Sequence, residues 1–242
     1  MVIVMTYWNR WNQLLKTLRS FENSKSKDFD VVIVNNNSNQ EIVLPQLTFN
    51  VHIINLPAGW HYLAAHNIGF CYAVKLKPEI IIMQHSECYH VGDIISYAKK
   101  VTDETYISFA CYSLGEGEEP ETVVIKNKCM TYNGESAWYN HPIYRPFYYQ
   151  FCSAITTKNL IRLNGFDERF CNGVWFDDNF FLELIKNIGL KKELPEKPFV
   201  FHQWHPDNTS AQLEKIHINQ DLFFSLINKN VTRAVHLYSP DL

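Results

Sequence analysis

The chain has 242 residues, with 22 Lys and Arg against 25 Asp and Glu for a formal charge of -3. No basic stripe of the kind that tracks a phosphate backbone is present, which excludes a general polyanion or nucleic-acid binder. At 46% hydrophobic, with no compositional break and no Gly/Ser-rich linker, the expectation is one domain large enough for a substantial core.

Residues 1–6 read as a strand, followed by a helix over 10–22 in which Trp11, Leu14, Leu15, Leu18 and Phe21 share a face. DVVIVNNNS at 30–38 is a second buried strand that closes in a polar turn, and VHIINL at 51–56 is a third. YLAAHNIGFCYAVKL at 62–76 has helical spacing, EIIIM at 79–83 is a fourth strand, GDIISYAKKVTD at 92–103 a helix and TYISFACYS at 105–113 a strand. Continuous β-branched runs alternating with helices indicate an α/β fold, with a mostly parallel sheet covered on both faces.

Regularity fades from 114 to 149, a segment rich in Trp, Tyr, His and Pro that reads as a functional or mobile insertion. Strand QFCSAITT and helix KNLIRLNG follow. From Asp177 onward Phe180, Phe181, Leu184, Ile185 and Ile188 fall at helical spacing until Gly189 supplies a stop. PFVFHQWHP at 198–206 is the last strand, and residues 207–242 read as a terminal helix and an extended end.

The six cysteines (Cys71, Cys88, Cys111, Cys129, Cys152 and Cys171) include no CxxC pair, so reduced structural thiols are expected. The apolar start, MVIVMTYW, is too short for a signal peptide or a membrane span, and a soluble cytoplasmic protein is the expectation. Asn208-Thr-Ser and Asn230-Val-Thr fit the glycosylation acceptor triplet, a pattern common by chance. Aromatic residues make up 14%, which suits a cleft that stacks on rings or sugars as well as it suits a thick core.

In open α/β sheets ligands bind beyond the carboxyl ends of the strands. Four such exits are polar here: Thr6-Tyr7 with Asn9-Arg10, Asn35 to Ser38, Gln84 to His90, and His202 to His205. One polar exit is an ordinary turn; four at the same edge point to a site. His85, Ser86 and Glu87 carry metal-type ligands at i and i+2, which on an extended segment share a face, and a polar loop is the competing reading. Asp177 and Asp178 open a helix, where a carboxylate can serve as a cap or as a base. His90 and Asp93 are candidate caps of the helix at 92–103, and Cys88 has no basic neighbour in sequence to activate it.

The order of these pieces resembles the inverting, family-two-like nucleotide-sugar glycosyltransferases of the GT-A fold. TYWNR matches the turn after their first strand, IVNNNS the end of the second, AHNIGF a later helix, and NGFDERF with WFDDNF the acidic motif near the C-terminal third. The resemblance spans roughly residues 1–205 and implies a GT-A domain. Residues 1–113 would form its nucleotide-binding half and 114–206 its acceptor and catalytic half, followed by the 207–242 helix and tail.

By that resemblance Asp178 is the general base and Asp177 its neighbour shaping acceptor contacts; Trp175, by residue type, suits stacking on an acceptor sugar and nearly as well a buried position packing the helix start. Thr6, Tyr7, Arg10, Asn36, His66, Asn67 and Gln84 take donor-binding positions, and His66 replaces the family's Arg. His85-x-Glu87 stands where the family has Asp-x-Asp, and His202 or His205 would supply a further metal ligand. Imidazole with carboxylate favours manganese over magnesium. The implied partners are a nucleotide-sugar donor, UDP-linked, and a glycan, protein or small-molecule hydroxyl acceptor. A non-catalytic glycan- or partner-binding relative is the alternative. A nucleotidyltransferase would want a Gly-rich loop and Lys after the first strand, and TYWNRWN has neither.

Overall fold

The computed structural model describes residues 1–130, 135–206 and 210–242. Residues 131–134 of the insertion and Asn208 of the first acceptor triplet lie outside the described residues. In chain order the first half runs β1 (Val2–Tyr7), α1 (Trp11–Phe21), β2 (Asp30–Asn36), β3 (Asn50–Leu56), α2 (Tyr62–Lys75), β4 (Ile80–Gln84), β5 (Cys88–Val91) and α3 (Ile94–Ala98). It continues with β6 (Thr105–Ser108), β7 (Ala110–Ser113), β8 (Ala137–Asn140), β9 (Cys152–Thr156), α4 (Thr157–Leu163) and α5 (Asp177–Asn187). The last elements are β10 (Lys191–Glu193), β11 (Phe199–His202) and α6 (Ile216–Leu226).

Seven strands form the central sheet in the order β10-β6-β9-β4-β1-β2-β3. The β4-β1-β2-β3 half is parallel, and β9 runs antiparallel to both β4 and β6. Successive strand residues point to opposite faces, so a strand buried on both sides has no polar phase. Val2, Val4, Val32, Val34, Ile81 and Met83 join one core with residues of α2, α4 and α5. Ile3, Met5, Val31, Ile33, Ile80 and Ile82 join the other with residues of α1 and α3. The mixed α/β fold with helices on both faces is therefore as the sequence indicated. Helix α2 lies especially close to the sheet, because a Cβ at Gly69 would fall 2.7 Å from Val4 Cγ1 and 2.8 Å from Val34 Cγ2.

A second sheet of order β5-β11-β7-β8 was not foreseen. The predicted strand at 105–113 divides at Phe109, sending β6 to the central sheet and β7 to the second. Part of the insertion is regular: β8 pairs antiparallel with β7, and Trp138 is buried against Tyr112 and Phe199. The helix expected over 92–103 is only the five residues of α3. Asp93 caps it by accepting from the Ser96 N–H, whereas His90 caps nothing and bonds Gln84. All six cysteine thiols are unpaired, and burial pushes the Cys88 thiol well above its ordinary pKa. Among the described residues no helix is long and apolar enough to cross a membrane.

Candidate active site

The parallel strands β1, β2 and β4 end at one edge of the sheet, and β9 starts there because Cys152 pairs with Gln84. The turns after β1 and β2 are laced together: the Asn9 N–H donates to Ser38 Oγ, and the Asn39 N–H donates to Asn9 Oδ1. Asn9 and Asn37 adopt φ of 50° and 58°, a left-handed conformation that Asn tolerates better than most residues.

After β4 the chain does not stay extended. A bond from the Cys88 N–H to the His85 carbonyl closes a turn, and Glu87 is nevertheless brought back toward His85. Register supplies the other ligand types. His202 pairs with Cys88 across β11 and β5, and the Gln203 N–H donates to the Glu87 carbonyl. Gln203 also donates to the Gln13 carbonyl and to Thr17 Oγ1, which ties the His202–His205 loop to α1.

Glu87 Oε1 is the centre of this cluster. Arg10 Nη1 lies 2.7 Å away, His202 Nε2 and His205 Nε2 each 3.4 Å, and His85 Nδ1 3.9 Å. Ser86 Oγ donates to the other carboxylate oxygen at 2.9 Å. Burial disfavours the charged form of Glu87, but the bonds from His202 and His205 and the charge of Arg10 outweigh it and hold the carboxyl well below its usual range. Burial takes the His85 pKa down to about 4 and that of His66 to about 3, so both rings are neutral at pH 7 and keep a lone pair. Donor atoms of His85, Glu87 and His202 all lie within 4.8 Å of one another. Two imidazoles with an ionised carboxylate form a donor set that fits a divalent cation. Phe151 borders the cluster, 5.3 Å from the His85 ring and 5.7 Å from His202, and Tyr139 of β8 stacks on Phe151 at 4.9 Å.

Asp177 and Asp178 open α5 at the same edge, since Asn179 donates to Tyr149 Oη just ahead of β9. The two residues leading into the helix, Trp175 and Phe176, both have φ of 63°. Paired left-handed aromatic residues are strained, and the surroundings must hold them. The Trp175 carbonyl accepts from Asn219 Nδ2 of α6, and the Phe176 ring packs on Phe223 and Phe224. Asp177 Oδ2 accepts from the Tyr62 hydroxyl at 2.6 Å. Burial, and then the charge of Asp177, raise the Asp178 pKa well above the usual value, and burial raises Asp177 as well. Among the described residues no protein group hydrogen-bonds the Asp178 carboxylate.

The structure brings some residues singled out from sequence together and withdraws others. Arg10, His85, Glu87, His202 and His205 converge, and His66, with Nδ1 3.5 Å from Thr6 Oγ1, lies near enough to feel the charges of His85 and Glu87. Asn36 is half-buried and donates to the Trp60 carbonyl. Trp175 is 44% exposed at the mouth of α5. Asn67 does not open onto the cleft: it is fully buried, donates to the Phe166 carbonyl and Glu168, and accepts from the Phe166 N–H. Gln84 is equally enclosed, bonded to the Cys88 carbonyl and His90. Tyr7 sits in the core on the α1 side of the sheet. These three are structural because their strand or helix phase turns them inward. Tyr62 was missed; the one available signal was its i, i+4 relation to His66 on α2, which places both on one face.

Residues 2–164 match the family model described as glycosyl transferase family 2. A search of the curated proteins finds no match. Among solved structures, S. aureus TarS 1–349 aligns with a TM-score of 0.58 at 13% identity over 84% of this chain and 60% of that one. The same protein in complex with UDP-GlcNAc gives 0.59 at 11% identity, covering 87% of this chain and 60% of TarS 1–349. The catalytic domain of Drosophila beta1,4galactosyltransferase 7, in complex with xylobiose, gives 0.55 at 14% identity over 93% of this chain and 79% of that domain. This chain thus spans about 60% of the TarS fragment, and at such identities the likeness shows the fold.

Proposed function

We propose that this chain, which belongs to glycosyl transferase family 2, moves a sugar from a UDP-linked donor to an acceptor hydroxyl with inversion at the anomeric carbon. The observation that carries this reading is the meeting, at one sheet edge, of a His–Glu–His donor set with a carboxylate pair whose pKa values are raised. TarS, solved with UDP and with UDP-GlcNAc, supports the choice of nucleotide.

In this reading residues 1–113 seat the donor, with Thr6, Arg10, Asn36 and His66 around the nucleotide. Residues 114–206 supply the base and shape the acceptor side, where exposed Trp175 is placed to stack on a sugar. His85, Glu87 and His202, with His205 adjacent, would hold a divalent cation, manganese for a mixed imidazole and carboxylate set. A cation held there would supply positive charge to offset the diphosphate leaving group. Asp178 takes the proton of the acceptor hydroxyl as that oxygen bonds to the anomeric carbon, and the bond from that carbon to the diphosphate oxygen breaks with its electron pair going to UDP. A carboxylate with a raised pKa is the stronger base for this step, and Tyr62 fixes the neighbouring Asp177 by its hydrogen bond. The six unpaired thiols fit a reducing, cytoplasmic setting.

A panel of nucleotide sugars incubated with the protein and manganese tests the reading without knowledge of the acceptor. Slow release of UDP from one donor, lost in chelator, is the expected result. No turnover and no binding of any nucleotide would leave the non-catalytic reading in its place.

A further inference from the structure

Helix α5, which carries the acidic pair, starts without the local signals that usually set a helix entry. Its cap position is Phe176, which makes no side-chain bond to the first turn and, at φ 63° and ψ -12°, is left-handed rather than extended. Trp175 before it has φ 63° too. Two bulky left-handed residues in succession do not hold themselves, so the direction in which Asp177 and Asp178 leave the loop is imposed from elsewhere.

The element that imposes it is α6. Asn219 is 1% exposed and lies on the apolar stripe of that helix, with Leu222, Phe223 and Leu226 at i+3, i+4 and i+7. An amide in such a stripe costs free energy unless its bonds are made. Asn219 Nδ2 makes two: it donates to the Phe170 carbonyl at 3.0 Å and to the Trp175 carbonyl at 2.9 Å. Phe170 closes NGFDERF and Trp175 opens WFDDNF, so one side chain staples the two halves of the acidic motif.

The loop between them is shaped to admit that side chain. A Cβ at Gly173 would overlap Asn219 Oδ1 and fall 2.5 Å from its Cγ and 3.0 Å from its backbone nitrogen, so the staple closes only over a glycine. Phe223 and Phe224 pack against the Phe176 ring and complete the seat. Farther along, Leu226 is buried in the core and Asn187 at the end of α5 donates to the Val231 carbonyl, which keeps α6 in place.

We propose that Asn219 is a positioning residue for the acidic pair: its two donated bonds fix the left-handed Trp175–Phe176 entry and thereby the place of Asp177 and Asp178 at the sheet edge. Helix α6, which the sequence offers only as a terminal helix, is then part of the support of the site. The proposal rests on the transferase reading for what Asp178 does, and not for where it is held.

Titratable groups around Asp178 are Asp177 on its own helix, Tyr62 of α2 and Tyr106 of β6, and none of them bonds to Asn219. The Asp178 carboxyl therefore reports the fixing of the loop. Carbon-13 NMR of aspartate-labelled protein, with the Asp178 signal assigned from Asp178→Asn, reads its titration without any substrate. Asn219→Leu keeps the volume and suits the apolar stripe but removes both donated bonds, whereas Asn219→Ser keeps one donor. In folded Asn219→Leu the entry is expected to loosen and water to reach Asp178, which then gives up its proton at least about tenfold more readily. Donor affinity should stay within about twofold while kcat drops about 10²-fold, the cost of misplacing a reacting group by about 1 Å. Asn219→Ser should lie between, and Ser225→Ala, on the exposed side of α6, should match the wild type.

An Asp178 titration unchanged in folded Asn219→Leu overturns the assignment. Failure of both Asn219 variants to fold overturns it as well, since Asn219 would then support the whole domain rather than the pair. The shifted titration in a protein that turns over no nucleotide sugar would keep the staple and remove the transferase reading; sugar turnover with an unshifted titration would do the reverse.

Discussion

Arg10 and Glu87 form a 2.7 Å ion pair across 77 positions of sequence, and the pair uses the carboxylate oxygen that also faces His202 and His205. A guanidinium therefore already neutralises the group that a metal would need. A cation seated among the imidazoles must share that carboxylate or displace Arg10 from it. Glu87→Gln is expected to lower manganese affinity by at least about 100-fold, since losing a charged ligand costs several kcal/mol. Arg10→Ala removes the competitor and is expected to raise the affinity of the nucleotide-free protein by about three- to tenfold, the worth of a partly exposed ion pair. Titration calorimetry with manganese chloride reads both, and equal affinity in wild type and Glu87→Gln would sink the metal assignment.

Asp178 offers a second test in which activity and stability move in opposite directions. Its pKa is raised by burial and by Asp177, so the folded protein binds a proton there more tightly than the unfolded chain. That contribution to stability is present at low pH and lost as pH rises through the raised value. Asp178→Asn removes the charge that has to be buried. The variant is expected to melt above the wild type at pH 8, with the gap closing on acidification. Sugar transfer should fall by about 10²–10⁴-fold, the usual contribution of a general base, while donor binding remains. Transfer within a factor of two of wild type would exclude Asp178 as the base.

The central sheet was readable because burial on both faces leaves no choice of residue: Val2 to Met5, Val31 to Val34 and Ile80 to Met83 are apolar at every position. The polar exits were readable for the complementary reason, since polar side chains directly after such runs must meet solvent or a ligand. What could not be read depends on partners far away in sequence. Four-residue β5 and β8 have no period long enough to register, and the break at Phe109 that divides 105–113 between two sheets has no local signature. Asn67 and Gln84 look like polar site residues in sequence, and only the contacts with Glu168 and His90 show them to be internal. The NGFDERF motif was read for its likeness. Its Glu168 carboxylate is the socket for the C-terminal tail, and Asp167 pairs with Arg169 while accepting from the Val235 N–H.

Gly69 tests how α2 is positioned over the donor side. A methyl group there would meet Val4 Cγ1 at 2.7 Å and Val34 Cγ2 at 2.8 Å, closer than packed atoms allow. Either the valines leave their rotamers or α2 moves away from β1 and β2. Gly69→Ala is expected to cost about 1–3 kcal/mol despite the better helix propensity of alanine. Because His66 and Tyr62 ride on the same helix, weaker nucleotide binding should accompany the loss. Chemical denaturation with a urea midpoint equal to wild type would show that α2 is not packed as described.

Glu168 makes the attachment of the tail dependent on pH. Burial alone would raise its pKa, but the Asn67 amide, the Ser239 hydroxyl and the N–H groups of Tyr238 and Leu237 all favour the carboxylate and hold it below the usual value. A depressed carboxyl pKa stabilises the fold above the unfolded value, near 4.5, and that stability is lost as pH falls through the folded one. The tail should therefore stay docked at neutral pH and loosen only once the solution is acidified below the ordinary carboxylate range. Glu168→Gln faces the same N–H donors with an amide and is expected to lose about 2–3 kcal/mol at pH 7, as for a charged acceptor removed from buried donors. The difference between wild type and variant should shrink steadily as the solution is acidified. Cys71, whose thiol donates to the Pro240 carbonyl, gives an independent readout, since its alkylation rate at pH 7 should rise in the variant if the tail has come away. A wild-type-minus-variant gap that does not narrow between pH 7 and pH 3 would mean that Glu168 is not what holds residues 237–239 in place.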